Sequence, residues 1–358
     1  MEFINKAILV VIGISGVTKT LVLATARYLW NGPQHSAWNW KTQVGREILA
    51  YLGKAGSSRL GIEILAGFRH SISFYAACVE KGRDIRACEL GSSELGNAGV
   101  WAHKLQTEAR RALGDAHRKQ TMQVSVPKGE PKRSVVLYFH GGAYISGSPQ
   151  LYQTLLRKLT QTTGMLVCTP SYRLAPQTKY PGQLYDAYCA YQDMLQHHSA
   201  EDILLAGDSA GGNLALALWQ LTRAPVAGII LFSPRTDTNS QRASWQSNFA
   251  LDILPLYDIN NPQSSLFRLL EAEDRVHVGV PLLAPVNADM EGLPRVLVQV
   301  GSAEVMLDDV CEFARKAGPV CVLRVYEGGF HVFQAAPFAT VCCQDAWNDV
   351  RIFVSGLD

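Results

Sequence analysis

The sequence has little of what marks nucleic-acid-binding, metal-binding or repeat proteins. Only 18% of its 358 residues are charged, the formal net charge is +2, and no basic run occurs. A nucleic-acid partner is therefore not expected. None of the eight cysteines has C-x-x-C or metal-type spacing, so no metal site is predicted. No internal repeat or low-complexity segment is present, which argues against a solenoid or an array.

Several cysteines lie in apolar patterns rather than in polar, exposed ones. Cys168, Cys189 and Cys321 fall within runs typical of strands or helices. Cysteines in such positions usually act as small hydrophobic core residues with reduced thiols. The cysteine pattern therefore favours a reducing compartment, and we expect a cytoplasmic protein.

The most informative motif is a G-x-S-x-G sequence at 207–211, whose middle residue is Ser209. A short apolar run at 203–206 precedes the motif, and a segment rich in good helix formers, 211–222, follows it. A serine in a tight turn between a strand and a helix is typical of a nucleophile elbow. Ser209 would then lie at the C-terminal edge of a parallel sheet, where open α/β sheets place their ligands. An ordinary loop serine is the less favoured interpretation.

Two glycines upstream of the elbow are suited to acyl-transfer chemistry. A strand-like run at 134–139 leads into HGGAY at 140–144. Glycines there allow backbone N–H groups to approach a developing oxyanion without a Cβ in the way. We therefore predict an oxyanion hole formed by the N–H groups of Gly141, Gly142 and Ala210.

A carboxylate and a histidine follow the last two predicted strands. The run at 296–301 leads into a loop that contains Glu304, Asp308 and Asp309. Either aspartate could instead cap the helix that begins there. His331 follows the final strand and is the predicted general base, with a structural core histidine as the alternative. The order serine, acid, histidine is that of an α/β-hydrolase.

Together these motifs resemble the hormone-sensitive-lipase-like, or fold-3, branch of the α/β-hydrolases. The resemblance begins near residue 100 and continues to the last residue, with independent motifs in the family's order. One departure is Ala143, where many members have a third glycine, although Gly141 and Gly142 remain. In the family pattern the acid directly follows the strand, which favours Glu304, with Asp308 second. The matching motifs are HGGAY at 140–144, SYRLAP at 171–176, GDSAGGN at 207–213, SPRTD at 233–237, GSAEVMLDD at 301–309 and GGFHVFQ at 328–334.

The resemblance implies an α/β-hydrolase fold, with a mostly parallel sheet flanked by helices and a helical cap. The predicted division is an N-terminal cap segment at 1–100 and a catalytic domain at 101–358. A cap insertion is expected at about 238–282, where the alternation of strands and helices breaks down. The first strand of the sheet is predicted at 121–126.

Several further residues are expected to support the site rather than to react. His140 is predicted to hydrogen-bond the loop that aims the glycines, and Asp208 to support the elbow. Tyr172, Arg173 and Asp186 are predicted to stabilise the fold.

The expected activity is hydrolysis of a short-chain, acetyl-type ester of a bulky apolar small molecule. Ser209 would attack the acyl carbonyl, His331 would transfer the proton, and Glu304 would orient the imidazole. This chemistry needs no metal or organic cofactor, so none is expected. Alternatives are an amide or formamide hydrolase, or an acyltransferase or lactone-forming enzyme, on the same triad. A non-catalytic receptor, like the plant gibberellin receptors, is disfavoured because those lack the catalytic histidine.

The apolar segment at 7–26 has three interpretations. As a signal peptide it has Lys6 before a short apolar core and an A-x-A pattern at 24–26. As a membrane contact it reaches spanning length, but Lys19 interrupts it. As a helical lid over the active site it would turn Lys19 to water, and this interpretation is favoured. Three tryptophans follow, which suits a substrate roof or a membrane interface: Trp30, Trp38 and Trp40.

Overall fold

An eight-stranded sheet forms the centre of the part of the chain that this computed structural model describes, residues 2–56, 79–115, 120–238, 241–254, 268–336 and 341–357. The order across the sheet is β1-β2-β4-β3-β5-β6-β7-β8, where β2 pairs antiparallel with both neighbours and the strands from β4 to β8 run parallel. The strands are β1 Val79–Ile85, β2 Gln120–Ser125, β3 Val135–Phe139, β4 Leu166–Pro170, β5 Ile203–Asp208, β6 Gly228–Phe232, β7 Val296–Gly301 and β8 Cys321–Tyr326.

Helices cover both faces of this sheet. One face packs on a cluster that includes Leu105, Leu184 and Leu214, and the other packs on a cluster that includes Leu156 and Trp347. The helices are α1 Glu2–Asn31, α2 Trp40–Gly56, α3 Ser92–Ala98, α4 Ala102–Gly114, α5 Gln153–Thr163, α6 Gly182–Leu195, α7 Ala210–Thr222, α8 Ser244–Ser247, α9 Leu307–Ala317 and α10 Val341–Ser355. The predicted fold class, a mostly parallel sheet flanked by helices, is confirmed.

The central strands are continuous apolar runs because both of their faces are covered. Every residue of β3, β5, β6 and β7 is buried. A parallel strand under helices on both sides has no polar face to alternate with an apolar one. The strand predictions at 134–139 and 296–301 are confirmed for this reason.

The prediction that the sheet begins at 121–126 is wrong. The first strand is β1, Val79–Ile85, which pairs antiparallel with β2. Its sequence, VEKGRDI, contains charged residues and no continuous apolar run. An antiparallel strand at the edge of a sheet can keep one face in water, so its pattern is weak. The sheet therefore includes residues that lie inside the predicted cap segment, 1–100.

Two helices, α1 and α2, precede the sheet and pack against each other. Arg27 of α1 forms an ion pair with Glu47 of α2. The segment 7–26 lies within α1. Within the ranges that the structure describes, no helix has both the length and the apolar character needed to span a bilayer. The lid, membrane-contact and signal-peptide interpretations stay predictions.

Trp38, which follows α1, is buried and so does not lie at a membrane interface. Its indole Nε1 donates to the carbonyl of Gly328 over 2.6 Å. Its ring is buried in a cluster with Phe330 and Phe333. The chain between α1 and α2 is therefore packed on the loop that follows β8.

The chain between β6 and β7 leaves the sheet, as predicted for the insertion at 238–282. The residues around α8 contact the loop after β7, where Ser244 Oγ donates to the carbonyl of Val305 over 2.6 Å. Parts of the predicted insertion, 239–240 and 255–267, lie outside the described residues. The division into cap and catalytic domain stays a prediction.

Candidate active site

Ser209 lies in the turn between β5 and α7, with a backbone conformation that few residues other than glycine adopt. Its φ and ψ are 52° and −120°. A side chain at Gly207 or Gly211 would overlap backbone atoms of the facing loop or helix. The glycines therefore let β5 and α7 approach closely enough for the turn to form. The strained serine projects from the carboxyl edge of the sheet, as expected of a nucleophile elbow.

The structure brings Ser209, His331 and Glu304 together in one hydrogen-bonded chain. His331 Nε2 lies 2.9 Å from Ser209 Oγ, and His331 Nδ1 lies 3.1 Å from Glu304 Oε2. The Glu304 and His331 side chains are buried, with relative exposures of 0% and 6%. A buried acid, base and hydroxyl at these distances can pass the hydroxyl proton to the imidazole.

The second oxygen of Glu304 is held by two donors. Ser233 Oγ and the backbone N–H of Gly301 each donate to Glu304 Oε1 over 2.6 Å. Ser233 itself adopts a left-handed φ of 46°. Because Oε1 is occupied, Oε2 is the oxygen that faces His331. Sequence reasoning did not single out Ser233, although it stands first in the SPRTD motif.

The pKa of His331 is raised above its ordinary value of 6.5. Burial by itself lowers this pKa, because it disfavours the charged imidazolium. The hydrogen bond and negative charge of Glu304, together with the charges of Asp252 and Asp208, outweigh burial. The site is therefore built to stabilise the imidazolium that forms when His331 accepts a proton.

Asp308, the second choice for the acid, contacts the insertion instead of the histidine. Asp308 Oδ2 accepts from the backbone N–H of Ser244 over 2.8 Å, and its own N–H donates to Ser244 Oγ over 3.1 Å. The neighbouring Asp309 accepts from the indole of Trp245 over 2.7 Å and pairs with Arg242 at 2.8 Å. Both aspartates therefore tie α8 to the start of α9.

Gly141 does not have the geometry predicted for an oxyanion-hole donor. Its N–H already donates to Asp208 Oδ1 over 2.8 Å. Gly142 and Ala143 follow with left-handed φ values of 111° and 55°, and no described residue accepts a hydrogen bond from either N–H. The positive φ at Ala143 is one that glycine adopts more readily than alanine. In this loop, the N–H groups available to an oxyanion are therefore those of Gly142 and Ala143, and not those of Gly141 and Gly142 as the sequence indicated.

Asp208 supports both the elbow and the glycine loop. Besides Gly141, it accepts hydrogen bonds from Tyr138 Oη at 2.7 Å and Tyr152 Oη at 2.9 Å. Burial raises its pKa, and these donors act against that shift. These hydrogen bonds connect Asp208, beside the elbow, to the glycine loop, a contact that the sequence did not predict.

His140 lies under the glycine loop, away from the triad. Its Nδ1 lies 2.8 Å from the carbonyl of Gly141, and its ring stacks on Tyr172 with centroids 4.3 Å apart. Burial lowers its pKa to about 4, so the ring is neutral at pH 7. Nearby, Arg173 forms a two-pronged pair with the buried carboxylate of Asp186. These contacts fit the supporting roles predicted for all four residues.

A narrow cavity opens beside Ala210, the first residue of α7. Its polar edge is ordered, because Tyr144 Oη donates to Asn213 Oδ1 over 2.7 Å. The remaining lining is mostly apolar and includes Arg235. The residues that line the cavity are Ala143, Tyr144, Ala210, Asn213, Arg235, Thr238, Leu269 and Leu283.

Comparisons with known proteins show the family to which the chain belongs. A family described as alpha/beta hydrolase fold matches residues 136–335, more than half of the chain. The chain is similar to an esterase of Acinetobacter venetianus, with 34% identity over 232 residues that span 63% of this chain and 75% of that protein. It is also similar to an acetyl-hydrolase of Streptomyces hygroscopicus, with 32% identity over 252 residues that span 64% of this chain and 83% of that protein.

A solved structure extends the likeness to most of the chain. The crystal structure of the HSL homolog EstE7, from a metagenome library, is 27% identical with a TM-score of 0.65. The alignment covers 87% of this chain and 98% of that one. Fold and site define an α/β-hydrolase. Within that class, the chain belongs to the hormone-sensitive-lipase-like branch and is a serine carboxylic ester hydrolase.

Proposed function

We propose that Ser209, His331 and Glu304 are the catalytic triad of this carboxylesterase, and that its substrate is a short-chain, acetyl-type ester of a bulky apolar small molecule. One observation carries the proposal. Two consecutive hydrogen bonds, of 2.9 and 3.1 Å, link the serine hydroxyl to the imidazole and the imidazole to the carboxylate. The raised pKa of His331 supports its role as the general base.

The first half of the reaction forms an acyl-enzyme. His331 Nε2 takes the proton from Ser209 Oγ as the oxygen attacks the acyl carbonyl, and Glu304 keeps the Nδ1–H tautomer in place. The developing oxyanion accepts hydrogen bonds from the N–H groups of Gly142, Ala143 and Ala210. As the tetrahedral intermediate collapses, His331 returns the proton to the leaving alcohol.

The second half repeats these steps with water as the nucleophile. His331 removes a proton from the water as its oxygen attacks the acyl carbon. The Ser209 Oγ–acyl bond then breaks, and the proton returns to Oγ. The products are a short carboxylic acid and regenerated enzyme, so that each catalytic group finishes in its starting protonation state.

The substrate class is supported by the cavity and by one relative. The wall beside Ala143 and Ala210 includes Leu269 and Leu283, which suits an apolar group next to the reacting carbonyl. The similar protein of Streptomyces hygroscopicus is named acetyl-hydrolase. The cavity wall favours an apolar group in the substrate, and the name of the relative favours a small acyl group.

The test is activity profiling of the purified chain on matched aryl esters. We expect kcat/KM to decrease from the acetyl to the butyryl to the octanoyl ester, and to be far lower for the acetyl anilide. A fluorophosphonate should label the wild-type chain on Ser209 and should not label Ser209→Ala. The variant should lose several orders of magnitude in kcat while remaining folded by circular dichroism.

Each alternative function predicts a different outcome of the same experiment. An anilide turned over as fast as its ester would indicate an amidase. Transfer of the acyl group to an added alcohol in preference to water would indicate an acyltransferase. Absence of both fluorophosphonate labelling and turnover of any ester would point to a binding protein. Retention of more than a few per cent of activity in Ser209→Ala would refute the triad.

A further inference from the structure

A second buried carboxylate, Asp252, lies behind the triad and belongs to none of the motifs. It is part of the insertion between β6 and β7, and its relative exposure is 3%. Asp252 Oδ1 accepts from the backbone N–H of His331 over 2.8 Å, and Oδ2 accepts from the backbone N–H of Val305 over 2.9 Å. One carboxylate thus bridges the residue that carries the base and the residue directly after the acid Glu304.

Resting on the triad of the proposed function, we propose that Asp252 is a positioning residue that holds the loops of Glu304 and His331 in register and adds a second negative charge behind the imidazole. The geometry supports the first part of the role. The two loops follow different strands, β7 and β8, and a shared acceptor links them directly. Because a triad tolerates displacements of only a fraction of an ångström, such a link affects kcat more than KM.

The backbone around Asp252 is itself anchored from two sides. On one side, Arg46 of α2 donates through Nη1 to the carbonyls of Ala250 at 2.9 Å and Asp252 at 3.3 Å. On the other side, Asn248 Nδ2 donates to the carbonyls of Ser302 at 2.9 Å and Glu304 at 2.8 Å. The insertion is therefore clamped between α2 and the loop that carries the acid.

The charges around Asp252 support the electrostatic part of the role. The pKa of Asp252 is raised to about 6, chiefly by burial; the charge of His331 acts against this rise and the charge of Glu304 adds to it. On the side of α2, the charged group that interacts with Asp252 is Arg46, which also forms an ion pair with Glu47 at 3.8 Å. In return, the negative charge of Asp252 raises the pKa of His331. The ionised carboxylate therefore stabilises the imidazolium formed in the transition state.

The test compares Asp252→Asn with wild type for kcat, KM and the pH profile of kcat/KM on a short-chain aryl acetate. Asparagine removes the charge and one acceptor but nearly keeps the shape. We expect kcat to fall by about ten- to a hundredfold with KM changed less than about twofold. The acid limb of the profile should move to lower pH by about half a unit or more, because His331 loses a negative neighbour.

Two further variants separate positioning from charge. Asp252→Glu keeps the charge but displaces the carboxylate, so kcat should fall while the acid limb stays near its wild-type position. This variant also serves if Asp252→Asn does not fold. Asp289→Asn removes an exposed carboxylate, with a relative exposure of 68%, and should change neither quantity.

The outcomes distinguish this proposal from the triad on which it rests. If Asp252→Asn keeps the wild-type kcat and the wild-type acid limb while Ser209→Ala is inactive, the role of Asp252 is overturned and the triad stands. A lower kcat with an unmoved acid limb in Asp252→Asn would overturn the electrostatic part. An active Ser209→Ala would instead overturn the proposed function itself.

Discussion

The hydroxyl of Ser233, at the end of β6, donates to Glu304 Oε1 over 2.6 Å and leaves Oε2 to face His331. The same hydroxyl accepts from the backbone N–H of Val332 over 3.0 Å. Ser233 is therefore joined both to the acid and to the residue after the base. One small side chain, directly after a third strand, thus fixes the orientation of the carboxylate toward the imidazole.

Ser233→Ala should lower kcat by about tenfold and leave KM nearly unchanged, because it removes a donor from a buried carboxylate. The orientation of Glu304, rather than substrate binding, is what changes. Steady-state kinetics on a short-chain aryl ester check this. Unchanged kcat in Ser233→Ala would show that Gly301 alone suffices to hold Glu304.

Glu304→Gln should reduce kcat far more than Asp308→Asn. Of these two carboxylates, Glu304 contacts the imidazole of His331 and balances its charge, whereas Asp308 contacts Ser244. Asp308→Asn should act mainly on stability, as a lower melting temperature with most of the activity kept. The measurements are kcat and thermal unfolding of both variants. A larger loss of kcat in Asp308→Asn than in Glu304→Gln would contradict the assignment of Glu304 as the acid.

The acid limb of kcat/KM should have its midpoint above pH 6.5. Burial lowers the pKa of His331, but the hydrogen bond and charge of Glu304 and the charges of Asp252 and Asp208 together raise it by more. Protonated His331 cannot accept the serine proton, so activity is lost as the pH falls through this pKa. The free energy of unfolding depends on pH in the opposite direction. The raised pKa of His331 stabilises the folded state at low pH, and this contribution is lost as the pH rises through that pKa. A midpoint below 6.5 contradicts the prediction, and fluorophosphonate labelling rates provide a second measurement.

Gly142→Ala should lower kcat by about a hundred- to a thousandfold, the loss typical of a damaged oxyanion hole. Its φ is 111°, and a Cβ there would overlap the backbone of Ser146. Ala143→Gly is the matched control, because it keeps the N–H at a position whose φ of 55° suits glycine. That control should remain within a few fold of wild type. Equal losses in the two variants would contradict the proposed donors.

Removal of residues 2–31 should leave turnover of a small aryl acetate unchanged. Helix α1 contacts α2, as in the pair between Arg27 and Glu47, while Trp38 and Arg46, which contact the site loops, are retained. A lid predicts a loss of kcat/KM for bulky apolar esters that is absent for the small one.

Membrane contact predicts a different result for the same truncation. Exposed apolar side chains on α1, Val22 at 60% and Leu29 at 77%, would then hold the full-length chain on lipid vesicles. Co-sedimentation with vesicles that contain anionic lipid measures this directly.

Loss of activity on the small acetate after the truncation would contradict the prediction that the triad does not depend on α1.

The sequence by itself determined the elements that are written in local patterns. Buried parallel strands such as β5 and β7 are continuous apolar runs, so their positions could be predicted. Ser209 was identifiable because a tight turn between a strand and a helix demands glycines at fixed spacing. His331 was identifiable from its place after the last strand. Glu304 followed from the resemblance to the family.

Contacts between distant segments were decided only by the tertiary structure. β1 was missed because an edge strand keeps polar residues, and Gly141 was misassigned because its N–H donates to Asp208, 67 residues away. Trp38, Ser233 and Asp252 reach the loops of the acid and the base from other parts of the chain. No local pattern specifies such partners, because a buried hydrogen bond depends on which side chains the packed sheet and helices bring within 3 Å or so of each other.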